Sequence, residues 1–440
     1  MAPTAPTSTL QTPGLKWWLT HLETDFHHEN SVELYVGALK RRVIRNPVPA
    51  AVGTAQLFLR LISSYRFQSI RQLVDYISGV EERLSAARPR EMSVRNMVRR
   101  VVGIIREEAE NNGMGDQFQE ALRSEDFEEA LQGGPTALKK RPSLMTVKSF
   151  AVAASNPSLT NVFEIFSHPS SSITSSATSS PPSTGVAKPQ SSVQHDVRPA
   201  IIQDIQELIE ELDSCETNLA EYAMNVIHRN EVILTYGFPS TVQRLLLRAA
   251  QKRDFTVVVV EGSLNVYRKT HNAVMNKDTA NEEDEDAAEL AARKSLQDRG
   301  IQVIVISDSD VINFMGRVNK VILGTEYVFA DGSLLAPAGT KNIVRAAKAR
   351  NTPVVVLSGS YALCPITTFF EDQWIEMGAP KTVDFQEGYV IDNVEMPNPM
   401  VDFIPGSYVG YFVTNNGIVA PNAMYRATLD LYHMSECDLL

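Results

Sequence analysis

Five short runs of valine, isoleucine and leucine, broken by few polar residues, restrict what this chain can become. They fall at 232–236, 256–261, 303–307, 320–323 and 353–357. A strand that is apolar at successive positions must be covered on both faces. Helical periodicity at 241–253 and 341–349 stands between such runs. Strands alternating with helices at this spacing predict a parallel sheet wound in both directions from its first strand, with right-handed crossovers. Functional groups are then expected at the carboxyl ends of the strands.

Ahead of this α/β region, apolar residues recur at helical spacing, as in Ile70, Leu73, Val74, Ile77 and again in Val94, Met97, Val98, Val101, Val102, Ile105. Asn46-Pro47 and Arg88-Pro89 interrupt the pattern, because proline lacks the amide a helix needs and restricts the residue before it. Four or five helices are expected. From 167 to 192 most residues are Ser, Thr or Pro, a composition that buries too little apolar area to offset the entropy of ordering. Helical spacing returns at Ile201, Ile205, Leu208, Leu212, Leu219 and Val226, predicting one long helix that ends at His228-Arg229-Asn230. The expected organisation is a helical domain at 1–132, a disordered low-complexity insert at 133–197, a connecting helix at 198–230 and a Rossmann-like, mainly parallel domain at 231–440.

The 440 residues carry a net charge of -11, which disfavours bare nucleic acid and anionic membrane surfaces as partners. Cys215, Cys364 and Cys437 lack metal-ligand or disulfide spacing. No apolar stretch approaches a membrane span, and the amino-terminal residues lack the apolar core of a secretory signal. A cytosolic protein is expected. GxGxxG and GxxxxGK[ST] are absent, and the first strand leads instead into Thr235-Tyr236-Gly237-Phe238-Pro239-Ser240, where proline offers no amide to phosphate. HExxH and GxSxG are absent too. The acidic run at 282–286 reads as a solvated loop.

Val321-Ile322-Leu323-Gly324-Thr325-Glu326, Asp331-Gly332-Ser333, Gly339-Thr340 and Asp402-Phe403-Ile404-Pro405 before Val413-Thr414-Asn415 occur in an order that resembles a known family. It comprises the sugar-phosphate isomerases and the alpha, beta and delta subunits of translation initiation factor 2B. Ala87-Arg88-Pro89-Arg90-Glu91, Asn96 to Val101 and Ile104 to Glu108 are similar to the beta-type members. So is the carboxyl end, Asn416-Gly417, Ala420-Pro421, Tyr425-Arg426 and Leu431-Tyr432-His433.

Where the isomerases carry a catalytic cysteine, the resemblance places Gly237, which has no side chain to move a proton. Their catalytic aspartate corresponds to Glu326, their Asn-Lys pair to Ala336-Pro337, and a phosphate-holding arginine to Ser263. With Gly339 and Thr340, these residues outline a degenerate isomerase-like pocket. The glycines Gly324, Gly332 and Gly339 suit turns at strand ends.

The resemblance implies a non-catalytic regulatory subunit, with no cofactor and no metal. The expected companions are alpha, gamma, delta and epsilon subunits, the exchange reaction residing in epsilon. The complex would act on the GTP-binding translation initiation factor 2 and respond to phosphorylation of that factor's alpha subunit. Two alternatives stay open: an isomerase using Glu326 and Asp308, and a sugar-phosphate or nucleotide sensor without turnover. Arg95, Arg99, Arg100 and Arg106 present either a basic docking surface or a solvated face paired with Glu107, Glu108 and Glu110.

Overall fold

A computed structural model describes residues 13–24, 28–44, 46–67, 69–113, 197–261, 291–368, 370–378 and 397–432. Residues 133–196 of the insert, Ser263, the acidic run at 282–286 and Cys437 lie outside these residues.

Five helices form the amino-terminal region: α1 (Pro13–Thr24), α2 (His28–Lys40), α3 (Pro47–Ser64), α4 (Ile70–Ala87) and α5 (Met92–Asn111). Asn46 caps α3 ahead of Pro47, and Arg88 ends α4 ahead of Pro89, so both expected breaks fall at the prolines. Ser69 opens α4 by accepting the Gln72 amide at 3.3 Å.

The connecting helix differs from expectation. α6 (Arg198–Glu221) stops at Tyr222, and one further turn, Ala223–Val226, precedes extended chain. The cause is tertiary: the Val226 carbonyl accepts Lys320 Nζ, and the Ile227 carbonyl accepts the Arg253 guanidinium. These cations satisfy carbonyls that further helix would have bonded internally.

The sheet contains β1 (Val232–Tyr236), β2 (Thr256–Glu261), β3 (Gln302–Ser307), β4 (Lys320–Gly324), β7 (Val354–Leu357), β10 (Tyr411–Thr414) and β11 (Gly417–Val419), in the order β11-β10-β7-β4-β1-β2-β3. All neighbours pair parallel except the β10–β11 edge. From β1 the chain goes outward through β2 and β3, then returns to β4 on the other side. The topological switch point therefore lies between β1 and β4. α7 (Ser240–Ala249) follows β1 and α8 (Thr340–Ala349) precedes β7.

Between β4 and β10 the chain builds a second, four-stranded sheet that the periodicity did not predict, in the order β8-β5-β6-β9. Its strands are β5 (Tyr327–Phe329), β6 (Leu334–Pro337), β8 (Leu363–Cys364) and β9 (Val401–Ile404), each of two to four residues and too short to show a period. Short α9 (Met424–Leu429) closes the described chain.

One continuous core joins the helical region to one face of the large sheet, running from Leu15, Trp18 and Phe58 through Leu212 and Leu219 to Ile233, Val257 and Val355. The opposite face packs Leu234, Val258 and Phe412 against Ile343 and Val344 of α8. Met92 of α5 joins Phe329, Leu335 and Phe403 in a third cluster on the small sheet. Among the described residues no helix is long and apolar enough to cross a membrane.

Candidate functional site

The carboxyl ends of β1 and β4 flank the switch point, where open α/β sheets place their ligands. Gly237 leaves β1 in the left-handed region at φ +58 and donates its amide to the Val260 carbonyl at 2.9 Å. Gly324 ends β4, and a Cβ there would lie 2.9 Å from Pro239 Cγ, so the loop after β1 sits directly on it. Glu326 follows, its amide bonded to Leu335 O at 2.9 Å. Ala336 and Pro337 pair with Asp402 and Val401 across β6 and β9. Thr340, buried, donates its hydroxyl to Pro337 O at 2.6 Å. Hydrogen bonds thus join Glu326 to β6 and Thr340 to Pro337, and the Tyr236 hydroxyl ties the end of β1 to Ala338.

Little acid–base chemistry is available there. Glu326 keeps a carboxylate, but Gly237, Ala336, Pro337 and Gly339 have no titrating group, and the Thr340 hydroxyl is engaged. Tyr236, which the sequence did not single out, reaches across the rim and donates to Ala338 O at 2.6 Å. Burial pushes its hydroxyl up to about 12, with Asp308 and Asp402 adding to the rise, so it stays protonated at neutral pH. Gly339 lies against this ring at φ +104. Among the described residues no group of three His, Cys, Asp or Glu side chains is arranged to hold a metal ion.

Helix amino termini at such a rim carry partial positive charge and commonly meet substrate phosphate. At α8 one of the chain's own carboxylates meets the terminus. Asp402 Oδ2 accepts the amides of Gly339 at 2.8 Å and Lys341 at 2.9 Å, capping α8. Glu216 of α6, buried, accepts the Ser240 hydroxyl at 2.7 Å at the start of α7 and pairs with Arg244 Nε at 2.8 Å. Asp402→Ala should lower stability by about 1–2 kcal/mol, and Asp402→Asn by less, because the amide oxygen still caps. Chemical denaturation midpoints of the two variants test the ordering.

Three polar ties fasten the helical region to this rim. The Glu91 carboxylate accepts hydrogen bonds from Ser93 at 2.6 Å and from Tyr327, and pairs with Arg88 at 2.6 Å. Asn96 donates to Tyr361 O at 3.0 Å. Glu211 accepts Arg100 at 2.6 Å, Ser360 at 2.9 Å and Asn415 at 3.2 Å. Burial pushes the Glu211 carboxyl up, but the Arg100 guanidinium with the Ser360 and Asn415 hydrogen bonds outweighs it, leaving the group below its ordinary 4.5. A depressed carboxyl stabilises the fold above its unfolded pKa and loses that contribution as pH falls through the folded value. Glu211→Gln should therefore be less stable than the parent at pH 7, the gap closing below about pH 4. Urea midpoints at both pH values test this; a constant gap would contradict it.

Of the two readings of the arginine series, a basic docking surface or a solvated face paired within the helix, Arg95, Arg99 and Arg100 fit neither. Arg99 is 1% exposed, and Arg95 turns to Ser85 at 2.6 Å and Glu81 at 3.5 Å on α4. Arg100 crosses to α6, while Arg106 keeps a 3.7 Å contact with Glu107 and a side chain only 14% exposed. These cations face inward because α5 is enclosed by α3, α4 and α6, an arrangement spacing along one helix does not reveal. Glu216 was legible in principle: it stands among Leu208, Leu212, Cys215 and Leu219 on an otherwise apolar stripe, where a carboxylate needs a partner.

A family model described as the initiation factor 2 subunit family matches residues 44–266 and 289–421. Translation initiation factor eIF2B subunit beta of Schizosaccharomyces pombe is 32% identical over 418 residues, covering 93% of this chain and 98% of the relative. Among solved structures, eIF2B beta from Chaetomium thermophilum superposes with a TM-score of 0.62 at 21% identity, covering 97% and 98% of the two chains. A chain of the tetrameric eIF2B-beta2-delta2 complex from C. thermophilum superposes with a TM-score of 0.61 at 22% identity, covering 95% and 99%. These likenesses agree with the helical region followed by a mainly parallel sheet.

Proposed function

This chain belongs to the initiation factor 2 subunit family, and from that premise we propose that it is a beta-type, non-catalytic regulatory subunit of the exchange factor for translation initiation factor 2. The observation that carries the reading is the rim at the switch point. The positions matched to the isomerase groups hold Gly237, Ala336 and Pro337, with Glu326 the carboxylate among them, and Asp402 caps the α8 terminus that would hold phosphate. Such a sheet works through its surfaces.

In this reading the chain associates with alpha, gamma, delta and epsilon subunits in the cytosol, and nucleotide exchange takes place in epsilon. The chain helps hold the substrate factor and register phosphorylation of its alpha subunit. The beta and delta chains named together in the solved tetramer support a delta-type subunit as the first partner.

Co-expression with a tagged delta-type subunit, followed by pull-down, tests the assignment. The expected result is recovery of both chains in equal amounts, with a GDP-release activity that appears only once epsilon is added. A chain that remains a stable monomer and ignores the delta-type subunit would overturn it.

A further inference from the structure

Helix α2 ends on an unusual residue. Past Lys40, the Val43 amide reaches back to Ala38 O at 2.9 Å and the Arg42 amide to Leu39 O at 3.1 Å, the paired bonds of a Schellman cap. The residue that turns the chain in such a cap takes positive φ, and glycine is the usual choice. Here it is Arg42, at φ +54. A side chain held where the backbone favours none points to a use for that side chain. The Arg42 guanidinium pairs with the carboxylate of Glu376, far along the chain.

Glu376 belongs to the segment 371–378, Glu-Asp-Gln-Trp-Ile-Glu-Met-Gly, which carries three carboxylates and no cation. Cations reach it from elsewhere in the fold. Besides Arg42, Arg90 Nε of the turn between α4 and α5 donates to Gln373 O at 3.2 Å, and Lys341 Nζ in the first turn of α8 lies 3.4 Å from Glu371. Bonds from Gly378 N to Asn398 O and from Met400 N to Glu376 O, both 2.7 Å, attach the far end of the segment to the chain leading into β9. Apolar burial contributes less: the Trp374 ring lies 5.5 Å from that of Phe329, but Phe370 and Met377 stand largely exposed. A segment with few buried apolar contacts opens locally, at a cost set by its polar ties.

We propose that residues 371–378 form an electrostatic clasp between the helical region and the first turn of α8, held by Arg42, Arg90 and Lys341 and released when those charges are screened or removed. An isolated exposed ion pair contributes little. Here three cations converge on one short acidic segment, and one of them is kept against the preference of its own backbone. Opening the clasp frees the α2 and α4–α5 turns from α8, while the Glu91, Asn96 and Glu211 ties hold. The clasp uses none of the positions matched to the isomerase groups, so the inference goes beyond the subunit assignment and its test is independent of it.

The test is hydrogen–deuterium exchange of the full chain, read at the Gly378 and Met400 amides with those of β1 and β2 as the internal reference. Raising sodium chloride from about 0.05 M to about 0.5 M should speed exchange at Gly378 and Met400 by about threefold or more and leave the reference unchanged. Arg42→Gly should do the same at low salt while its thermal midpoint stays level or rises, because glycine suits the left-handed turn. A side chain that only stabilised its own turn would not move the two readings in opposite directions. Glu376→Gln should match Arg42→Gly, and the double variant should add nothing further. Asp372→Asn is the control: its carboxylate forms no ion pair among the described residues, and its exchange should equal the parent's. Unchanged exchange in Arg42→Gly, salt-independent exchange in the parent, or equal acceleration in Asp372→Asn would each overturn the proposal. So would an acceleration in Arg42→Gly that extends to β1 and β2 with a lowered midpoint.

Discussion

Glu216→Ala should destabilise the fold by about 3–5 kcal/mol, the usual consequence of removing one member of a buried ion pair. The Glu216 side chain is 2% exposed and its partner Arg244 is 17% exposed, so water cannot replace the lost carboxylate at Arg244 without rearrangement. The substitution also strips an acceptor from the Ser240 hydroxyl at the first turn of α7. Glu216→Gln retains an acceptor for Ser240 and should lose less. Adding Arg244→Ala to Glu216→Ala should recover part of the loss, because the stranded guanidinium goes with its partner. Chemical denaturation of the three variants measures the effect. A loss under about 1 kcal/mol for Glu216→Ala would mean that the pair is not a fastening between α6 and the rim.

Gly339→Ala should be nearly as damaging, and for a reason that separates packing from ligand binding. At φ +104 the backbone disfavours any residue with a Cβ, which by itself costs about 1–2 kcal/mol. The new methyl would also lie 2.5 Å from the Tyr236 hydroxyl oxygen and 2.9 Å from its ring carbon. Tyr236 must move, breaking its bond to Ala338 O, and overpacking of this kind adds roughly 1–3 kcal/mol. Gly237→Ala is the control: φ is +58 there, but nothing lies within 4 Å of the added Cβ, so only the backbone term applies. The expected order is a large loss at Gly339 and a small one at Gly237, with Tyr236→Ala relieving the clash in the Gly339→Ala background. Equal losses at the two glycines would contradict the account of the Tyr236 ring as the filler of this rim.

The parts of the fold visible in the sequence are those carried by local pattern. Apolar continuity located β1 and β2 to the residue and β4 and β7 within one residue, because a strand covered on both faces has no polar positions to blur it; β3 was located as closely although, as the edge strand, it leaves Val305 47% exposed. Helix α7 ends at Ala249, four residues before the expected end, since the Lys252 and Arg253 amides both fold back to Ala249 O and the Arg253 side chain reaches Ile227. The second sheet was hidden because strands of two to four residues contain no period. The Asp402-Phe403-Ile404-Pro405 segment was noticed as a motif, but its role in pairing with β6 and capping α8 depends on partners about sixty residues away.

The candidate site divides in the same way. The positions where catalytic groups are missing could be read from residue identities alone. What fills the space could not. Tyr236 meets Ala338 across 102 residues of chain, Glu211 meets Asn415 across 204, and Glu91 meets Tyr327 across 236. Such convergences follow from topology, which puts the ends of β1 and β4 side by side and lays α5 and α6 over them. The arginines of α5 illustrate the opposite error: regular spacing suggested a surface, and burial in the bundle removed it.

The most direct test of the central claim is steady-state isomerisation of ribose phosphates, ribose 1,5-bisphosphate among them, by the purified full-length chain, alone and with a delta-type subunit. Intact folding is checked by circular dichroism in the same preparation. A rim without a proton-moving side chain at Gly237, and with the α8 terminus already bound to Asp402, predicts no rate above that of buffer, with the parent and Glu326→Gln indistinguishable. Measurable turnover by the parent that disappears in Glu326→Gln would contradict the claim, because it would mean that the rim still performs the chemistry of its isomerase relatives.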